Sequence, residues 1–333
     1  MQVYILAAVV NAYLEIDAIN HEFISGIITL TPESGKSVNE YYDYSYYCRI
    51  RGINCIQVNS YSFNSEDDRK KIEDLDVDLL LVLGWQRIIP KWLIEKCNIG
   101  AVGVHGSPWG ITQGRGRSPQ NWSLIMGCRS FSVSIFWIDV GADSGRIINS
   151  DTFEYTDTDT IETSYIKCAL LVAQMINCLL ESNICEKKGE NQTGKAFYLP
   201  KRIADDGEID WNRENYEIYN FIRALSKPYP GAFSRMNEKR IIFWRATPIN
   251  VCGIYESKEN GEVVKVFPNK KLLVKCKDGF LLIDEYEVEE EEPQEHVVFS
   301  SVDFKEQMKR IIERHYQSSS DEINPHIIHL LDE

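Results

Sequence analysis

Short apolar runs separated by longer polar stretches constrain the fold of the first half of this chain more than any other feature. The intervening stretches are compatible with helices. Such alternation is typical of an α/β domain built on a mainly parallel sheet. The runs are Val3–Val10, Ile24–Leu30, Ile53–Val58, Asp78–Leu83 and Ala101–His105.

Three further segments are predicted to complete this first domain. Residues Ser132–Val140 alternate between apolar and polar side chains, and Ile148–Glu154 is expected to pair nearby. Residues Asp159–Ser182 carry apolar side chains at helical spacing behind a start rich in Thr and Asp. This helix is predicted to close the domain near residue 190.

The second half has a different pattern. A segment with Pro, Gly and paired acids, Tyr198–Trp211, reads as a linker, and a helix is predicted from Asn215 to Leu225. Short strands then recur at close spacing, which suggests a small β-barrel. The predicted strands are Arg240–Trp244, Gly261–Val266, Lys271–Lys275 and Gly279–Tyr286. We predict domains at 1–195 and 215–288, a linker at 196–214, and an acidic linker with a C-terminal helix and tail at 289–333.

Charge limits the partners that the chain can have. The formal net charge of its 333 residues is −14. A tRNA or DNA would meet net repulsion unless one face carried a dense basic patch, and the sequence has none. The run from Asp284 to Glu295 holds eight acids and no basic residue, and it is interpreted as a solvated charged face rather than a site.

Cysteine usage and hydropathy predict a cytoplasmic protein. The nine cysteines are scattered, show no zinc-ligand spacing and are interpreted as reduced packing residues, so no metal is expected. The apolar N-terminus lacks the basic lead-in of a signal peptide. The stretch Cys168–Leu180 is shorter than the roughly 20 apolar residues that span a bilayer, so no membrane partner is expected.

The candidate catalytic residues lie in glycine-flanked loops at predicted strand ends, where open α/β sheets bind ligands. His105 stands beside Gly106, and Asp143 lies in the turn Gly141-Ala142-Asp143-Ser144-Gly145. A lone histidine is more often structural, but a His–Asp pair across a cleft can transfer protons. No GxGxxG follows the first strand, which argues against NAD and FAD.

These segments resemble the formyltetrahydrofolate-dependent formyltransferases, the family that includes methionyl-tRNA formyltransferase and sugar-nucleotide N-formyltransferases. The family patterns Asn-x-His-x-Ser, Arg-Gly-Arg-x-Pro and Gly/Ala-x-Asp-x-Gly correspond to residues 103–107, where Gly replaces the Asn, 115–119 and 141–145. The resemblance covers about residues 1–286. It implies a Rossmann-like formyltransferase domain followed by an OB-like barrel.

The resemblance also implies roles for individual residues. His105 and Asp143 would be catalytic, with 10-formyltetrahydrofolate as the co-substrate. The implied folate-binding residues are Gly84, Trp85, Gln86, Arg87, Ile88, Ile89, Ala142 and Asp143. The implied acceptor-binding residues are Gly103, Ser107, Arg115, Arg117, Tyr198, Lys201 and Arg202. For Arg115 and Arg117, surface ion pairing or a structural role is the alternative to a diphosphate contact, and for the residues after 197 it is a solvated linker.

Two departures from the family pattern affect this site. Gly103 stands where the family has its catalytic asparagine, so an amide that helps to hold the formyl oxygen is missing. Asn121, a backbone N–H near Gly103 or an ordered water could replace it, although Asn121 could equally cap a helix. The segment Pro108–Gln113 also adds length where the family has a short turn.

The leading interpretation is an N-formyltransferase that acts on an amino-sugar nucleotide in surface glycan biosynthesis, such as that of lipopolysaccharide or O-antigen. It would bind folate and a nucleotide sugar, bind no nucleic acid, and could form a homodimer. A methionyl-tRNA formyltransferase, a catalytically silent folate- or nucleotide-binding member, and a hydrolase of the formyl donor remain alternatives.

Overall fold

The computed structural model describes residues 1–251, 253, 255 and 258–331. By internal packing the chain divides into two units. The first comprises Met1–Arg115, Ser132–Phe153 and Tyr165–Lys195, and the second comprises Gly116–Phe131, Glu154–Ser164 and Ala196–Glu333. The chain boundaries predicted for the domains stay a prediction.

Strands and helices alternate through the first half of the chain. In chain order the elements are β1 Val3–Leu6, α1 Tyr13–Ala18, β2 Ile24–Leu30, α2 Pro32–Gly35, α3 Tyr44–Arg51, β3 Asn54–Val58, α4 Glu66–Glu73, β4 Leu79–Val82, α5 Lys91–Lys96, β5 Gly100–Ser107, β6 Arg115–Gly116, α6 Pro119–Ile125, β7 Ser130–Trp137, β8 Ile147–Glu154 and α7 Ile161–Glu181.

Seven of these strands form one sheet in the order β3-β2-β1-β4-β5-β7-β8. Strands β1 to β5 pair in parallel, and β7 pairs antiparallel with β5. All four residues of β1 are buried, as expected for a central strand covered on both faces. The chain order reverses between β1 and β4, which is where sheets of this type open a crevice for ligands.

Gly84 follows β4 at this crevice. Its φ is +71°, a left-handed conformation that glycine adopts without strain. A Cβ at this position would lie 2.6 Å from the Cβ of Ala12 in the loop after β1. The glycine therefore lets the loops after β1 and β4 touch.

The second half contains a separate antiparallel sheet. In chain order, the elements of the second half are β9 Tyr198–Leu199, α8 Asn215–Leu225, β10 Ala232–Met236, β11 Lys239–Ile249, β12 Val263–Val266, β13 Leu272–Lys275, β14 Phe280–Val288, α9 Phe304–Ser318 and α10 Pro325–His329. Five strands lie in the order β10-β11-β14-β13-β12. Trp211 is fully buried against Phe243 and Phe299, and its indole N–H donates to Ser234 Oγ.

The acidic run contributes to the surface of this sheet. Its carboxylates pair with lysines on or beside β11, β12 and β13, in the pairs Lys239–Glu290, Lys265–Glu295, Lys270–Glu292 and Lys271–Asp284. The interpretation of this run as a charged face agrees with that pairing. Beyond it, Tyr198 N–H donates to the Glu322 carbonyl and Asn324 N–H donates to the Tyr198 carbonyl, so the C-terminal tail pairs with β9.

The predicted fold class is confirmed: a mainly parallel α/β sheet is accompanied by a separate antiparallel sheet. Strand β10 was not predicted, nor was helix α10. The eight described cysteines are free thiols, and Cys252 lies outside the described residues. Among the described helices, only α7 has the length and composition to cross a membrane, a test that core helices of globular domains also pass.

Asp68 offers a test of the first unit's packing. Its carboxylate is fully buried and accepts hydrogen bonds from the backbone N–H groups of Asn59 and Ser60. Asp68→Ala leaves these donors unsatisfied, so we expect the free energy of unfolding to fall by about 2–4 kcal/mol in urea titrations. The exposed neighbour Asp67 is the matched control, and an equal effect of Asp67→Ala would contradict this account.

Candidate active site

His105 lies near the carboxyl end of β5, with 11% of its side chain exposed. Its Nε2 is 2.8 Å from the carbonyl oxygen of Gly114. A carbonyl can only accept, so Nε2 carries a hydrogen. In the neutral imidazole Nδ1 is therefore the unprotonated nitrogen, available to receive a proton.

Asp143 faces that nitrogen. Its Oδ2 is 3.7 Å from His105 Nδ1, and 30% of its side chain is exposed. Asp143 has a φ of +51°, and a Cβ on Gly145 would fall 1.6 Å from the Trp137 carbonyl oxygen. The turn thus depends on a glycine and on an aspartate in a left-handed conformation. The structure brings together the two residues that the sequence predicted as a pair.

Neighbouring side chains fill the space into which a side chain at position 103 would project. A Cβ there would lie 3.0 Å from both Ile138 Cγ1 and Phe136 Cζ. Residues two apart on a strand face the same side, so Gly103 and His105 share a face of β5. Phe136 and Ser134 are their direct partners on β7. The position where the family motif would place an amide is therefore lined by apolar side chains.

The predicted folate loop is anchored by its aromatic and apolar residues. Trp85 is buried and stacks on Phe63, with ring centroids 5.2 Å apart, and Ile89 is also buried. The Gln86 N–H donates to Tyr61 Oη, and the Arg87 guanidinium lies over the Tyr61 ring. Ile88 is 74% exposed. Trp85 thus belongs to the core, while Ile88 presents apolar surface that a flat ring could cover. Ala142, the other predicted folate contact, lies exposed in the Asp143 turn.

Ser107 and Arg115 have internal partners within the first unit. The Ser107 hydroxyl is buried, donates to the Gly110 carbonyl and accepts from the Trp109 N–H. Ser107 therefore shapes the extra segment. Arg115 Nη2 donates to Gln192 Oε1 at 2.7 Å, while its buried Nε has no partner among the described residues.

Arg117, Tyr198 and Lys201 belong to the second unit. Arg117 is exposed, and its N–H donates to the Leu199 carbonyl. Tyr198 is half-buried within β9, and Lys201 is exposed. Their predicted contacts with an acceptor stay predictions.

Arg202 and Asn121 lie in packed surroundings of the second unit. The Arg202 guanidinium lies over the rings of Trp122 and Phe221, and burial lowers the pKa of Arg202 to about 10. The Asn121 amide is buried and donates to the Ala224 carbonyl at 2.7 Å, while its Oδ1 has no partner among the described residues. The binding role of Arg202 and the catalytic role of Asn121 stay predictions.

Gln192 and Glu15 gave no signal in the sequence. Gln192 joins the segment that follows β5 to the Asp143 turn. Glu15 lies on α1, behind the loop after β1; its Oε1 is enclosed, without a partner among the described residues, and burial raises its pKa to about 8. Neither belongs to a recognisable motif. Among the described residues, no group of three or more His, Cys, Asp or Glu could hold a metal ion.

Comparison with known families identifies the domains of this chain. A model described as Formyl transferase matches residues 49–176, which include His105 and Asp143. A model described as Formyl transferase, C-terminal domain, matches residues 202–301. Together they cover more than half of the chain. The chain belongs to the formyltransferase family. Members of this family are enzymes that transfer formyl groups.

The relatives of this formyltransferase include a methionyl-tRNA formyltransferase and an N-formyltransferase solved with a sugar nucleotide. A methionyl-tRNA formyltransferase from Finegoldia magna is 28% identical over 234 residues, which is 70% of this chain and 73% of the relative. An N-formyltransferase from Helicobacter canadensis, solved with folinic acid and dTDP-3-aminofucose, is 15% identical with a TM-score of 0.58. The match covers 86% of this chain and all of the other.

HypX from Aquifex aeolicus has the same fold. It is 17% identical to this formyltransferase, with a TM-score of 0.56, and the match covers 86% of this chain. The chain spans less than half of that HypX chain, with 45% covered. At these identities the solved structures establish the fold only.

The occupied space beside Gly103 predicts a specific coupling. We expect Gly103→Asn to lower the free energy of unfolding of this formyltransferase by about 1–3 kcal/mol, since the new side chain overpacks against Ile138. In Gly103→Asn/Ile138→Ala the added side chain gains room, so the double variant should be more stable than the sum of the two single effects. Purely additive effects in chemical denaturation would show that the two side chains do not compete for space.

The carboxyl of Glu15, which is half-buried with Oε1 enclosed, predicts a dependence of stability on pH. Its folded-state pKa of about 8 lies above the usual 4.5, so the folded protein keeps a proton that the unfolded chain loses. Stability from this group is complete below pH 4.5 and is lost as pH rises toward 8. Glu15→Gln should therefore be more stable than the wild type at pH 8.5 by about 1–3 kcal/mol, but not at pH 4.5. Glu22→Gln, on the exposed surface, is the control and should show no such pH dependence.

Proposed function

We propose that this enzyme is a cytoplasmic N-formyltransferase that moves the formyl group of 10-formyltetrahydrofolate onto the amine of an amino-sugar nucleotide used in surface glycan synthesis. The observation that carries the proposal is the facing of His105 Nδ1 and Asp143 Oδ2, 3.7 Å apart, with Nε2 held by the Gly114 carbonyl. A gap of this size closes to hydrogen-bonding distance with a movement of about 1 Å.

In this proposal the amine nitrogen attacks the formyl carbon, and the bond from that carbon to N10 of the folate breaks. Asp143 accepts the proton that the amine loses. His105, protonated at Nδ1, donates to the developing oxyanion and then gives its proton to N10. Asp143 returns a proton to Nδ1, so the cycle leaves a formamide and tetrahydrofolate with no net proton change.

The packing beside Gly103 indicates which group donates a hydrogen bond to the oxyanion. The side-chain direction at this position meets Ile138 and Phe136, and Gly103 itself lies within the β4–β5–β7 ladder. Because Nε2–H is committed to Gly114, Nδ1–H of the imidazolium is the donor that remains on His105. We therefore assign the oxyanion contact to Nδ1–H. Asn121 is not used in this scheme.

The acceptor class is supported by charge and by the fold neighbours. The net charge of −14 disfavours a polyanionic tRNA but permits a single diphosphate held by a few arginines. Arg115 in the first unit and Arg117 in the second are separate candidates for such a contact. The Helicobacter canadensis enzyme of the same fold was solved with a dTDP-linked amino sugar. Assembly as a homodimer is also part of the proposal.

An acceptor screen tests the proposed substrate class directly. Purified enzyme is incubated with 10-formyltetrahydrofolate and dTDP-, UDP- and GDP-linked amino sugars, and the formamide is detected by mass spectrometry. We expect one nucleotide series to be formylated. Absence of product from all three would contradict the proposal, while donor consumption without an acceptor would identify a hydrolase.

Removal of either member of the pair should strongly lower the rate of catalysis and leave the protein folded. We expect His105→Ala and Asp143→Asn each to lower kcat about 100- to 10,000-fold, the range for losing general acid–base catalysis. Asp151→Asn, a change on exposed β8, is the matched control and should retain wild-type kcat. Wild-type turnover in Asp143→Asn would refute the assigned role.

Methionyl-tRNA formylation is a second candidate because the sequence relatives carry that name. It predicts formylation of charged initiator tRNA, with affinity falling steeply as salt rises. Formylation of the tRNA but of no amino sugar would favour this candidate. If the protein binds folate and nucleotide without turnover, and His105→Ala binds both as tightly as the wild type, the protein is instead a catalytically silent member of the family.

A further inference from the structure

Gln192 connects the two loops that carry the proposed catalytic pair. Its amide oxygen accepts from Thr112 Oγ1 at 3.0 Å and from Arg115 Nη2 at 2.7 Å. Its amide nitrogen donates to the backbone carbonyls of Asp143 at 2.7 Å and Gly145 at 2.9 Å. All four hydrogen-bonding positions of this amide are therefore filled.

The two sides of this amide belong to different parts of the site. Thr112 and Arg115 flank Gly114, whose carbonyl holds His105 Nε2. On the other side, the Asp143 carbonyl belongs to the residue whose carboxylate faces Nδ1. The Gln192 side chain thus links the loop that hydrogen-bonds the His105 imidazole to the turn that carries the Asp143 carboxylate.

Chemistry fixes the orientation of the amide. An arginine can only donate and a backbone carbonyl can only accept, so the oxygen must face Arg115 and the nitrogen must face the turn. A glutamate of the same shape would keep the first contact but would place a carboxylate oxygen against two carbonyl oxygens. The site therefore distinguishes glutamine from glutamate although their sizes match.

The Asp143 turn needs such support because its own backbone is strained. Asp143 adopts a φ of +51°, a conformation that is stable only where the surroundings hold it. Gln192 lies between the two ranges that the family models match, 49–176 and 202–301, so family membership assigns it no role.

We infer that Gln192 is a positioning residue that sets the distance between His105 and Asp143 by tying the segment Thr112–Arg115 to the Asp143 turn. This inference rests on the catalytic pair of the proposed function. Gln192 touches neither reacting group, and it acts through the Asp143 backbone and the loop that carries Gly114.

Hydrogen–deuterium exchange tests the connection without any need for turnover. We expect Gln192→Glu to speed exchange across residues 139–146 about tenfold or more, since local opening becomes easier when these bonds are lost. Thr112→Val removes one donor only and should loosen residues 108–114 more than the turn. Gln174→Glu makes the same chemical change at an exposed position of α7 and should leave both segments unchanged. Equal exchange in the wild type and Gln192→Glu would overturn the inference.

Kinetics then separate positioning from general destabilisation. With 10-formyltetrahydrofolate as donor and dTDP-3-aminofucose as acceptor probe, or with donor hydrolysis as the readout, Gln192→Glu should lower kcat about 10- to 100-fold, as expected for small misplacements of catalytic groups. The KM for the donor should change by less than about twofold, since uniform binding is unaffected. Thr112→Val, the milder variant, should lose less, and it provides a folded comparison if Gln192→Glu melts early.

Parallel assay of Asp143→Asn keeps the two proposals apart. Full activity of Asp143→Asn would refute the catalytic pair, whereas the exchange data would still decide whether Gln192 ties the loops together. Loss of activity in Asp143→Asn with wild-type kcat in Gln192→Glu would overturn the positioning role alone.

Discussion

The hydrogen bond between His105 Nε2 and the Gly114 carbonyl is the interaction on which the proposed chemistry of this site depends. It commits one ring nitrogen to structure and leaves the other to face Asp143. Without this hydrogen bond, either ring nitrogen of the neutral imidazole could carry the hydrogen, and Nδ1 would not be fixed as the nitrogen that exchanges protons. The carbonyl belongs to Gly114, at the end of the segment that follows β5, so that segment also positions the imidazole.

Much of the fold was readable from sequence because its signals are local. Buried apolar runs placed β1 to β5, and the helical spacing behind Asp159 placed α7 within two residues at its start. Strand β10 was missed because its five residues follow a Pro-Gly turn without a strong alternating pattern, and its partner β11 supplies the register. The position of β7 beside β5 also depends on long-range pairing that no local pattern specifies.

The site was predictable where a motif carries chemistry and not where side-chain environment decides. His105 and Asp143 were identified from glycine-flanked loops, and they face each other. The Trp85 ring packs on Phe63 in the core, which no motif indicated, and its predicted place in the folate loop stays a prediction. Gln192 could not have been found in this way, because a glutamine in a polar stretch looks the same whether it meets four partners or only water.

The packing opposite Gly103 also bears on how such an enzyme can diverge. Ile138 and Phe136 now occupy the space into which a longer side chain at that position would project. Introducing an amide there without loss of stability would require a second substitution that makes room, at Ile138 or Phe136. The packing thereby couples position 103 to its neighbours on and after β7, so the side chain tolerated at one of these positions depends on the size of the others.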